Sequence, residues 1–189
     1  MSQQQNTASI RVIMVALTGT ALAGIAGVAI SAQDKYTLQI PKGLAFSEFK
    51  GYENWELVSV SHPVAGEGGT ETLNVILGNP TMIKAYAAGI PGNGKPVPDG
   101  AKLAKIQYNV KKSTEAPFNV AVPNTLKDVA FMAKDSKRFA DIGGWGYGVF
   151  LYDDKTDAFK PDGTGANCGT ACHTIVKSKD YVFTRYEKK

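Results

Sequence analysis

Cysteine and histidine are scarce in this chain, with two of each. A multi-bridge disulfide framework and a four-cysteine zinc site are therefore excluded. Charge of one sign is also lacking. The formal net charge is +4, and the only charge block is the terminal "EKK". That is too mild a balance to draw the chain to nucleic acid or an acidic membrane surface, so no nucleic-acid partner is expected. No internal repeat is found. Long apolar runs are missing too, with one exception at the N-terminus.

That exception is "RVIMVALTGTALAGIAGVAISAQ", in which Arg11 precedes an uncharged stretch ending in small residues. It has the layout of a secretory signal, although its length approaches that of a membrane span. Residues 1–32 are therefore expected to be a signal peptide or N-terminal anchor, with cleavage favoured. Residues 33–189 are expected to form one domain, exported and periplasmic.

Both cysteines lie in "GANCGTACHTIVKSKD", where His173 directly follows Cys172. Three chemistries compete for this cluster. A disulfide between Cys168 and Cys172 would close too short a loop to stabilise much, and it leaves the histidine unexplained. Zinc would need further ligands, such as His62 or a distant carboxylate. Covalent haem uses all three residues: two thiols add to the vinyl groups and His173 ligates the iron. The usual signature is C-x-x-C-H. Here it is one residue longer, and Gly169 in the intervening loop is expected to absorb the extra length. Haem is the favoured reading, and an exported chain suits it, because haem thioethers are made outside the bacterial cytoplasm.

The mature chain reads as mostly strand. β-Branched and aromatic patterning predicts strands over residues 54–62, 70–78, 101–110, 126–134 and 144–153. "NPTMIKAYAAG" predicts a helix, with Asn79 as N-cap, Pro80 in the first position and Gly89 past the end. A short helical turn is expected in "DSKRFAD", and 111–125 and 154–167 read as irregular. On the third strand, Leu103, Lys105, Gln107 and Asn109 share one face, opposite Ala104, Ile106, Tyr108 and Val110. Consecutive strands without repeated helical crossovers predict an α+β domain: an antiparallel sheet with a few short helices on one side and the cysteine segment near the C-terminus.

The ending "GTGANCGTACHTIVKSKDYVFTRY", together with "KDSKRFADIGGWGYGVF" and "PDGAKLAKI", resembles the cytochrome P-460 family and its relatives, the cytochromes c′-beta. The likeness runs from about Leu38 to Tyr186. It implies a homodimer whose subunits each hold one covalently attached haem c on Cys168 and Cys172. His173 would be the proximal ligand, with the opposite iron face open to a small-molecule ligand or substrate, and a redox partner protein is expected. His62, Met82 and Met132 are the side chains available to cap that face instead. The resemblance places Lys105 where hydroxylamine-oxidising members carry a lysine cross-linked to the porphyrin edge. Lys102 falls on the opposite strand face. Those members carry an acid on the strand matching "DVAFMAK", where Ala130, Phe131 and Met132 stand here. Phe131 resembles the phenylalanine that crowds the open face in cytochromes c′-beta, and Asn74 stands near an arginine of some enzymatic members. Lys105 thus favours an enzyme acting on hydroxylamine or a related nitrogen compound. Phe131 and the missing acid favour a non-enzymatic cytochrome that binds nitric oxide or passes electrons.

Overall fold

The computed structural model describes residues 33–63, 71–115, 117 and 119–186, and the expected leader lies outside them. The strands are β1 (Glu56–Ser61), β2 (Thr72–Gly78), β3 (Lys102–Ser113), β4 (Val120–Lys134), β5 (Trp145–Asp153) and β6 (Ala158–Pro161). They form one sheet in sequence order, with every neighbouring pair antiparallel. Helix α1 (Pro80–Ala87) follows β2, and α2 (Gly165–Thr174) follows β6. The α+β class expected from the sequence is the class observed.

Local chemistry accounts for α1. The Asn79 side chain accepts the Met82 N–H at 3.0 Å, Pro80 opens the helix where its missing N–H is harmless, and Gly89 leaves it at φ 78°.

The sheet is covered on both faces. One face carries Leu77, Ala104, Val129, Phe131 and Phe150. The N-terminal segment lays Ile40, Leu44, Phe46, Phe49 and Tyr52 across it. The other face carries Ile76, Leu103, Met132, Trp145 and Tyr147, packed with Met82 of α1 and Val182 of the C-terminal segment. Period-2 alternation along each strand separates the two sets.

Two segments expected to be irregular are partly strand. In 111–125, β3 continues to Ser113 and β4 begins at Val120, with Lys111 paired to Val122 and Val110 to Pro123. This arm outruns its neighbours: β2 pairs only as far as Asn109, and β5 only as far as Asp128. A proline is tolerated there because its missing N–H has no third strand to serve. In 154–167, Asp157 turns at φ 50° and sends Ala158–Pro161 back along β5 as an edge strand.

Candidate functional site

Helix α2 carries the whole Cys168–His173 motif. Four residues apart on a helix, Cys168 and Cys172 share a face, and both are exposed free thiols. The extra residue of the motif is therefore absorbed by helical geometry, and Gly169 sits within the helix. A Cβ on Gly169 would lie 2.6 Å from Cβ and 2.7 Å from Cγ of Tyr147, so glycine is what lets α2 pack down on β5.

His173 is fixed by its surroundings. Its Nδ1 lies 2.6 Å from the Tyr181 carbonyl oxygen. A carbonyl only accepts, so Nδ1 carries the proton and Nε2 keeps its lone pair. The ring packs against Tyr147 and Phe183, with centroids 4.9 Å away in each case. Burial holds the imidazole below its ordinary pKa and Lys105 pushes the same way, while the bond to Tyr181 opposes them. A neutral imidazole with a free Nε2 is the metal-ligating form.

Between α2, the segment Val182–Thr184 and the sheet lies an open cleft of about 400 Å³. Ile76, Leu103, Ala130, Met132, Tyr147 and Val149 make most of its wall apolar, and Cys168, Cys172 and His173 border it. Lys105 lines it too. Burial pulls the Lys105 pKa down, against the attraction of Asp128. Lys102 is on the other face, where its Nζ donates to the Glu48 carbonyl at 2.6 Å.

Phe131 belongs to both the cleft border and the core. It borders the cleft, but Lys105 pairs with Ala130 and Ala104 with Phe131, which puts the Phe131 ring on the opposite sheet face. The ring stacks on Phe49 at 4.0 Å and meets Phe46 and Tyr52 edge-on at 5.2 and 5.1 Å. It is an aromatic core residue.

The sequence reading also passed over an acid. Asp128 lies two residues before Ala130 and so on the cleft face, 4 % exposed. Alternation counted back from Ala130 would have found it. Burial raises its pKa, with Lys105 opposing. Its cross-strand neighbour is Gln107, itself paired with Asn74 of β2. When the Gln107 amide turns its nitrogen toward Asp128, it donates to the two carboxylate oxygens at 2.8 and 3.1 Å. An ionised Asp128 needs that orientation, whereas a protonated one can donate to the amide oxygen instead. Asn74 is buried and donates to Ser61 Oγ at 3.2 Å, so this face holds a buried polar row beside the apolar cleft wall.

Of the three side chains that could cap the iron, His62 is an exposed residue 3.8 Å from Glu71, and Met82 is fully buried on the inner face of α1. Met132 alone of the three borders the cleft.

The residues present fit a covalently held haem. Two free thiols share a helix face, the next residue is an imidazole with Nε2 available, and an apolar cleft adjoins them. The buried Tyr147 hydroxyl on its wall has no protein hydrogen-bond partner. Among the described residues, no three His, Cys, Asp or Glu side chains group as a metal cage.

No curated protein matches the chain. A family model described as Cytochrome P460 matches residues 49–184, and the chain belongs to this family of haem cytochromes.

Proposed function

We propose that the protein is an exported, periplasmic mono-haem cytochrome c that oxidises hydroxylamine or a related small nitrogen compound. It works as a homodimer and passes the electrons to a redox partner protein. Cys168 and Cys172 hold the haem through thioethers, and His173 Nε2 is the axial ligand. The bound haem supplies the redox-active iron. The export and assembly parts of this reading rest on the Arg11 leader and on the family resemblance.

The observation that carries the enzymatic reading is that Lys105 and Asp128 lie on the same sheet face, each acting on the other's charge. Removing electrons from an N–H or O–H substrate also requires its protons to leave, and a nearby carboxylate serves as general base. Asp128 is the carboxylate on this face, and burial makes it a stronger base than an ordinary aspartate. Lys105 stands where a porphyrin-edge lysine is needed, and burial favours its neutral, nucleophilic form. With the Phe131 ring on the other sheet face, the main argument for a crowded iron face falls away.

The apolar wall built by Ile76, Leu103 and Met132 supports a second reading, reversible binding of a neutral diatomic such as nitric oxide.

Denaturing electrophoresis with a haem stain tests attachment: wild type keeps its haem, and Cys168→Ser and Cys172→Ser weaken or lose it. The ferrous absorption spectrum and peptide mapping then separate the two readings. A far-red Soret band, and a haem peptide joining the Lys105 and cysteine segments, support the enzyme. An ordinary c-type spectrum, a free Lys105 peptide and no hydroxylamine turnover leave the diatomic-binding cytochrome.

A further inference from the structure

Behind the proximal histidine is a buried ion pair with no part in the cleft chemistry above. Lys134 Nζ, at the end of β4, donates to both carboxylate oxygens of Asp180 at 2.8 and 3.0 Å. The side chains are 7 % and 14 % exposed. Asp180 also accepts the Val97 N–H at 2.7 Å, and Lys134 also donates to the Gly143 carbonyl at 3.1 Å.

Asp180 and Tyr181 form an unusual turn. Both lie in the left-handed region, at φ 46° and φ 64°, and neither is glycine. Two consecutive residues in that region are strained and persist only when their surroundings hold them. The Lys134 and Val97 bonds grip Asp180. Gly143 makes room for the Tyr181 ring, since a Cβ at that position would lie 2.4 Å from it. The product of this turn is the direction of one carbonyl, that of Tyr181, whose oxygen accepts the His173 Nδ1–H hydrogen bond at an N···O distance of 2.6 Å.

We infer that Lys134 and Asp180 are positioning residues for the axial histidine, holding the strained Asp180–Tyr181 turn so that the Tyr181 carbonyl sets the tautomer, orientation and basicity of His173. The inference rests on the reading of His173 as the iron ligand. A firm Nδ1–H···O=C bond makes Nε2 a stronger donor and favours the ferric state. A loosened bond favours the ferrous state.

The test is the reduction potential and the iron–histidine Raman band of the haem-loaded protein in Asp180→Asn and Lys134→Gln. Positioning predicts that both variants shift toward the ferrous form, of the order of tenfold in the equilibrium ratio, or about 59 mV for one electron. The iron–histidine band should fall in frequency in both. Through-space charge alone predicts opposite signs, because one variant removes a negative charge and the other a positive one. Opposite shifts overturn the inference, as do wild-type potentials accompanied only by lower melting temperatures. Asp180→Glu, which keeps the charge and displaces the carboxylate, guards against misfolding of the other two. A raised potential and lowered band in Asp180→Glu support positioning, and unchanged values overturn it. An unchanged haem spectrum in His173→Ala would instead overturn the ligand assignment itself, and with it this inference.

Discussion

The two faces of the sheet are built to opposite rules. One is a dry aromatic layer in which Phe46, Phe49, Tyr52, Phe131 and Phe150 pack ring on ring. The other combines an apolar wall with Lys105, Asp128, Asn74, Gln107 and the partnerless Tyr147 hydroxyl. Burying polar and ionisable groups costs free energy unless they are paired, so a sheet that confines them to one face is stabilised chiefly by the other. Ring packing holds this fold, and the buried polar groups are gathered on the other face.

The largest effect should come from removing a ring from the dry face. Phe131→Ala is expected to cost about 3–5 kcal/mol in denaturant unfolding, as for a buried phenylalanine truncated in a core. Nitric oxide should bind the ferrous form at a nearly unchanged rate, because the ring lies across the sheet from the cleft. A large acceleration of binding at unchanged stability would break the division between the faces.

The seam between α2 and β5 tests the cleft side. Gly169→Ala forces a methyl group into the Tyr147 ring and should cost about 1–3 kcal/mol, the usual range for overpacking. It should also lower the haem-to-protein ratio by displacing the helix that carries both thiols. Thermal melting and haem quantification measure the two effects. Wild-type values in both would show that the close approach of helix to strand has no consequence.

The smallest effects concern the buried charges and sharpen the contrast through pH. Burial raises the folded-state pKa of Asp128 above its ordinary 3.8, so the folded state binds more protons than the unfolded state above that pH. Stability should fall as pH rises through the interval between the two values, then level off. Asp128→Asn should abolish that fall. Lys105 works in the opposite sense. Its folded-state value is depressed below 10.5, so stability should rise with pH from the folded value up to that limit, and Lys105→Met should flatten the rise. Urea unfolding across a pH series reads both slopes. The same slopes in wild type and variants would mean that neither group is as desolvated as its place in the fold requires.

Much of the architecture was legible because its signals are local. β-Branched runs marked five of the strands, and the Asn79–Pro80 start and Gly89 stop marked α1. The missed pieces lacked such a signal. Pro123 argued against a strand that exists because it lies beyond its neighbours' reach, and β6 is a short edge hidden in a polar stretch. The side of the sheet that Lys105 occupies was readable from alternation within β3. Alternation within β4 likewise puts Asp128 on the face of Ala130 and Met132.

What the sequence determined by itself was the reactive set. Cys168, Cys172 and His173 are brought together by adjacency alone, and any helix through them puts the two thiols on one face. What only the tertiary structure decided was what surrounds that set. The pairing of Ala104 with Phe131 set the ring into the aromatic layer and left Lys105 lining the cleft, with Asp128 on the same sheet face. The Asp180–Tyr181 turn brought a carbonyl to His173. The physical reason is that side-chain alternation is a property of one strand, whereas register is set between strands: a shift of one residue would exchange every inward side chain for its outward neighbour.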